Sequence, residues 1–169
     1  MSIHPEDPFA TPEHLRSPVR RLRGRLPAAV TLWTAPGPAG LTVSSTLVVD
    51  GDPPRLVGLL DDESDLWAAA SAAGRFTVQP LGPADRQLAD RFAGLMPAPG
   101  GLFSGYGWEP TDWGPVLAGR GSWAGCRLDT AHTLGWALLV QATIERIELA
   151  DPVPPLVHHR GRYTELRDS

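Results

Sequence analysis

Short runs of β-branched and aromatic residues, separated by breaks rich in Gly and Pro, set the pattern of this chain. Ala29-Val30-Thr31-Leu32-Trp33-Thr34 stops at Pro36-Gly37-Pro38-Ala39-Gly40, so it reads as a strand entering a hairpin, with Leu41 to Val49 as the returning strand. After Asp50-Gly51-Asp52-Pro53-Pro54, the nearly all-apolar run Arg55 to Leu60 predicts a central strand buried on both faces. Ser64, within the acidic block Asp61 to Asp65, is placed to start a two-turn helix over Leu66 to Ala73 that Gly74 ends. Arg75 to Val78 is the next strand, and Gly82-Pro83 opens a second helix that carries Leu88 and Phe92 on one face and stops at Gly94. Leu95 to Asp112 reads as a loop holding Phe103, Tyr106 and Trp108, before strands at Gly121 to Leu128, Ala137 to Leu149 and Leu156 to His159. Upstream, Met1 to Pro12 is a loose arm. A short helix over Pro12 to Arg25 ends before Pro27, because proline pushes its predecessor out of helical geometry. Mainly β with two or three short helices predicts a barrel decorated by helices, since a parallel α/β sheet needs more helix.

Composition narrows the function classes. The chain has 169 residues, the size of one ordinary domain, which predicts a flexible arm over 1–12 and a single domain over 13–169. A formal net charge of -4 argues against nucleic acid, whose phosphates call for a basic excess, and the cluster Arg16 to Arg25 reads as a solvated helix face. The single cysteine, Cys126, excludes an internal disulfide framework and reads as a buried structural thiol. His158 and His159 point to opposite faces of a strand, so no metal site is predicted. No apolar run approaches the roughly 20 residues that span a bilayer, no signal core opens the chain, and a cytoplasmic location is the expectation.

Seven pieces occur in an order that resembles the flavin reductase-like, FMN-binding split β-barrels. They are Pro27 to Thr31 with Gly40-Leu41-Thr42-Val43-Ser44-Ser45; Asp52-Pro53-Pro54; Gly74 to Val78; Arg91 to Gly94; Gly114 to Gly119; Trp123 with Cys126-Arg127; and Arg160-Gly161-Arg162-Tyr163. The resemblance implies a split barrel of Greek-key type. It implies an oxidoreductase that passes hydride from NADH or NADPH to FMN or FAD, a homodimer, and a flavin-dependent monooxygenase as the partner receiving reduced flavin. It places cofactor contacts at Thr42, Val43, Ser44 and Ser45, a phosphate contact at Ser64, a ring contact at Gln79, and C-terminal contacts at His159, Arg160 and Tyr163. The carboxylates around Ser64 depart from the family pattern, because they repel a phosphate. The family's Gly-Asp-His is missing near Gln141; His132 falls a few residues early, in an expected turn, and Trp108 is the candidate for the nicotinamide entrance.

No catalytic triad, nucleophile or acid–base pair is expected, because the cofactors carry the chemistry. No Gly-rich dinucleotide fingerprint is present either, so nicotinamide has to bind without a Rossmann unit. A non-catalytic flavin-binding barrel is the alternative reading, and a barrel holding a deazaflavin or haem is a third.

Overall fold

The computed structural model describes residues 13–15 and 17–166, so the expected arm over 1–12 lies outside the described residues. A 3-10 turn over Glu13–Leu15 precedes helix α1, Pro18–Gly24. The expected helix is split because Pro18 forces Ser17 out of helical geometry; Ser17 then caps α1, accepting from the Arg20 N–H at 3.3 Å. Strands β1 (Ala28–Ala29), β2 (Thr31–Ala35), β3 (Ala39–Val43), β4 (Leu47–Val49) and β5 (Arg55–Leu60) follow. Next come α2 (Asp65–Ala73), β6 (Arg75–Pro80), α3 (Arg86–Phe92), β7 (Trp108–Glu109) and β8 (Val116–Leu117). The long hairpin β9 (Trp123–Leu134) and β10 (Ala137–Glu148), then β11 (Leu156–His159) and β12 (Arg162–Glu165), complete the chain.

Seven antiparallel strands form one sheet in the order β3-β2-β6-β9-β10-β5-β4. Its two edges, β3 and β4, are consecutive in sequence. Laid flat, seven strands would hold those edges about 29 Å apart, whereas the four peptide steps from Val43 to Leu47 reach about 15 Å at most. The sheet therefore has to curl until its edges meet. The crossing from β3 to β4 also extends the β4–β5 pairing by a side chain: the Ser45 hydroxyl donates to the Leu59 carbonyl at 2.9 Å and accepts from the Leu59 N–H at 3.1 Å. Gly58 faces the Trp33 ring so closely that a Cβ there would lie 2.5 Å from it. The result is a barrel split along one seam.

The expected single strand over Leu41 to Val49 is thus two strands, β3 and β4, on opposite edges. Ser44 to Thr46 leave the ladder to cross the seam. A second correction concerns the central strand. β5 lies next to the edge, and its Leu59 is exposed. Within the seven-stranded sheet the strand buried at every position is β2, which Leu32 joins to one core and Trp33 and Ala35 to another. The barrel core holds Trp33 stacked on Phe76 at 4.6 Å with Leu56, Leu66, Cys126 and Val140. The second core, outside the barrel, packs Val30, Leu88, Phe92 and Leu156 under α3. A three-stranded sheet, β1-β11-β12, is tied to the barrel there by bonds from Val30 N to Leu156 O, Leu156 N to Leu81 O and Leu81 N to Val30 O.

β9 runs six residues past the expected Leu128, so His132 lies on a strand opposite Leu139 and not in a turn. Its outer half has β10 on one side only, since β6 pairs no further than Arg127, and the hairpin turns at Gly135-Trp136. β12 has no counterpart in the sequence reading. Arg160 and Gly161, both at positive φ (54° and 75°), make the two-residue turn between His159 and Arg162, a geometry whose twist suits a tight hairpin.

Candidate functional site

The Ser44 to Thr46 crossing is held from below. Thr31 donates its hydroxyl to the Val43 carbonyl at 2.7 Å and lies 2.9 Å from the Thr46 hydroxyl. The Trp33 indole N–H reaches Thr31 at 3.2 Å and Thr46 at 3.0 Å. Among the described residues, the backbone N–H groups of Ser44, Ser45 and Thr46 and the Ser44 hydroxyl take part in no hydrogen bond, and Ser44 is exposed. Unused donors beside small, partly exposed side chains suit a flat ligand edged with carbonyls.

Thr42 donates its hydroxyl to the Ala89 carbonyl on α3 at 2.7 Å, which brings α3 against β3. The next residue on α3, Asp90, brings its carboxylate close enough to Tyr163 on β12 to act on the phenol. Thr42 and Tyr163 are therefore brought to α3 from distant parts of the chain. Burial, with the Asp90 carboxylate second, pushes the Tyr163 phenol up to about 12, so it stays a protonated donor. His159 is half-buried and Arg160 exposed at the adjoining turn. His158, whose ring meets Tyr163 edge to face at 5.9 Å, titrates below the ordinary histidine value because of burial and then the neighbouring His159.

Two expected contacts have other occupations. Gln79 is 2% exposed; its Nε2 donates to the Arg120 carbonyl at 3.1 Å and its Oε1 accepts from the Leu117 N–H at 3.1 Å. The amide is spent on pinning β8 and the turn after it to β6, and it does not face an open surface. Ser64 is the N-cap of α2: its hydroxyl accepts from the Trp67 N–H at 3.2 Å and donates to the Asp61 carbonyl at 2.8 Å. With Asp61, Asp62, Glu63 and Asp65 all exposed around it, this helix start does not suit a phosphate. The donor set thus fits the ring of a flavin, while the α2 terminus does not fit its phosphate.

Trp108 is likewise a packing residue. Its indole donates to the Phe103 carbonyl at 2.8 Å, and its ring sits edge-on to Phe92 and Phe103. Cys126 is fully buried, and burial, followed by Glu145, pushes its thiol up to about 12, which makes it inert. No group of three or more potential metal ligands occurs among the described residues.

Thr31, Trp33, Thr46 and Asp90 are the supporting residues that the sequence reading missed. For Thr31, Trp33 and Thr46 the only local signal was β propensity, and Asp90 on α3 gave none. Two concavities lie elsewhere, one of about 180 Å³ beside Arg120 and Trp123, the other of about 310 Å³ between Pro36–Pro38 and Pro110–Pro115. The candidate site is an open shelf on one chain.

A split barrel with a fixed row of backbone donors at its seam defines a class of proteins that bind a flat, carbonyl-rich cofactor. The chain belongs to the flavin reductase like domain family, which matches residues 23–167. Among curated proteins it is 35% identical, over 89% of both chains, to an NADH-dependent FMN reductase, RutF 2, of Methylorubrum extorquens. It is 28% identical to the reductase subunit HsaB of a flavin-dependent monooxygenase of Mycobacterium tuberculosis, covering 76% of this chain and 69% of that one. Among solved structures, a nitrilotriacetate monooxygenase component B homolog from Mycobacterium thermoresistibile superposes with a TM-score of 0.80 at 27% identity, covering 88% of this chain and 85% of the other. No described helix is long and apolar enough to cross a membrane.

Proposed function

We propose that this chain is an NAD(P)H-dependent flavin reductase acting on FMN or FAD, and that as a cytoplasmic homodimer it supplies reduced flavin to a partner monooxygenase. The observation that carries the reading is the row of unused N–H donors over Ser44 to Thr46, at the seam of a chain that belongs to the flavin reductase like family. Relatives named as an NADH-dependent FMN reductase and as the reductase subunit of a monooxygenase support it.

When bound, the flavin accepts hydride from the nicotinamide and carries the electron pair. The chain's own task is to hold and orient. Ser44, Ser45 and Thr46 offer N–H groups to ring carbonyls, where negative charge collects during reduction, and Thr31 and Trp33 keep those donors in place beforehand. Thr42 and Val43 set the height of the shelf, and Tyr163, with His159 and Arg160, closes its far side as a protonated donor. Ser64 and Gln79 serve the fold in this reading. Exposed Leu47, Val48, Val49 and Trp136 support a homodimer, because a lone soluble chain rarely leaves a strand so apolar uncovered. A cytoplasmic location follows from the need for reduced nicotinamide.

The test is steady-state oxidation of NADH and of NADPH with FMN, FAD and riboflavin, followed by loss of nicotinamide absorbance. Turnover with at least one pair is the expected result. Flavin binding without turnover on any pair would transfer the chain to the non-catalytic reading, and absence of binding would overturn both.

A further inference from the structure

Helix α1 is anomalous. It is 7 residues long and none of its residues is buried. Helices this short are unstable in water unless a face is packed. Val19 and Leu22, three apart on the helix, and Leu26 just past its end are apolar and 74%, 61% and 64% exposed. Arg20, Arg21, Arg23 and Arg25 flank these residues, and the Arg160 N–H bonds the Gly24 carbonyl at 2.9 Å, bringing Arg160 and Arg162 beside them. Among the described residues none of these six arginines forms an ion pair, whereas Arg55, Arg86, Arg120, Arg127 and Arg146 all do.

The opposite character occurs at the barrel seam. Edge strand β4 exposes Leu47, Val48 and Val49, with Leu59 beside them. Exposed Asp50 and Asp52 stand at one end of this apolar edge and exposed Asp61, Asp62 and Glu63 at the other, and among the described residues none is in an ion pair. One surface is apolar with unpaired cations, the other apolar with unpaired anions. Both belong to the same chain.

We propose that α1 of one copy docks on the β4–β5 edge of a second copy, twice per two-fold dimer, with Val19, Leu22 and Leu26 on Leu47 to Val49 and the arginines against the flanking carboxylates. Such a contact is isologous and closes the assembly. It covers an edge strand that would otherwise invite aggregation. This contact rests on the homodimer reading above and specifies its interface.

Sedimentation equilibrium at low salt tests it with three proteins: R21E/R23E/R25E, D50R/D52R/D62R, and the chain carrying both sets. Each single set is expected to raise the dimer dissociation constant at least about tenfold, and the combined chain to return toward wild type, because the charge pairs are restored in reverse. A dimer indifferent to both sets would overturn the α1 contact and leave the homodimer standing, with α1 then free for another protein. A wild-type chain that stays monomeric would overturn both. Should circular dichroism show a reversed variant unfolded, mixing L22C with V48C chains under oxidation decides. A disulfide between the two chains supports the contact, and a dimer that forms without one refutes it.

Discussion

Thr42 and Gln79 look alike as polar residues of strands, yet the fold uses them differently. Gln79 spends both ends of its amide on backbone inside the protein, so Gln79→Leu leaves the Leu117 N–H and the Arg120 carbonyl without partners. We expect it to lower unfolding free energy by about 1–3 kcal/mol in urea titrations while the folded protein keeps its flavin affinity. Thr42→Ala and Ser45→Ala act on the shelf itself, by releasing α3 and the seam respectively. Both are expected to weaken flavin binding, read by quenching of flavin fluorescence; unchanged affinity in both would remove the strand from the site. Thr42, Val43, Ser44 and Ser45 were legible as a polar strand end at the residue level. The difference between the unused Ser44 hydroxyl and the committed Gln79 amide was not, because it depends on what the rest of the chain brings alongside.

Elements were most legible where they carry their own stop signals. Ser64 and Gly74 bound α2, with Gly74 at φ 70° as the left-handed cap that only glycine adopts at little cost. Ser64→Ala should lower stability by about 1 kcal/mol, the worth of an N-cap, without touching flavin affinity. The β11–β12 hairpin was half legible: its first strand is aliphatic, but β12 is polar and is fixed only by pairing with β11. This hairpin also carries a pH dependence. His158 is held below its ordinary value of 6.5 by burial and by His159, so the unfolded chain binds its proton more readily than the fold does. The contribution is complete above pH 6.5 and is lost as pH falls from there through the lowered value. Thermal unfolding at pH 7.5 and pH 5.5 should therefore show a drop on acidification that H158Q reduces, and an equal drop in both proteins would refute the assignment.

At the scale of the whole molecule, closure of the sheet decides the site. Gly58→Ala tests that closure directly, since its Cβ would lie 2.5 Å from the Trp33 ring at the seam. We expect about 1–3 kcal/mol of destabilisation from overpacking, together with weaker flavin binding, because Trp33 also holds Thr46. The sequence by itself determined the β-rich class, the helix boundaries at Ser64, Gly74 and Gly94, the buried Cys126 and, through seven ordered motifs, the family. Caps, prolines and glycines act within one turn of chain, so a short window contains their whole cause. Only the tertiary structure decided that Leu41 to Val49 divides between two edges, that β2 and not β5 is buried throughout, and that Thr42 and Tyr163 share α3. Those outcomes depend on a three-residue crossing that must bring the outermost strands of a seven-stranded sheet together, and that constraint is a property of the closed sheet, present in no local stretch of residues.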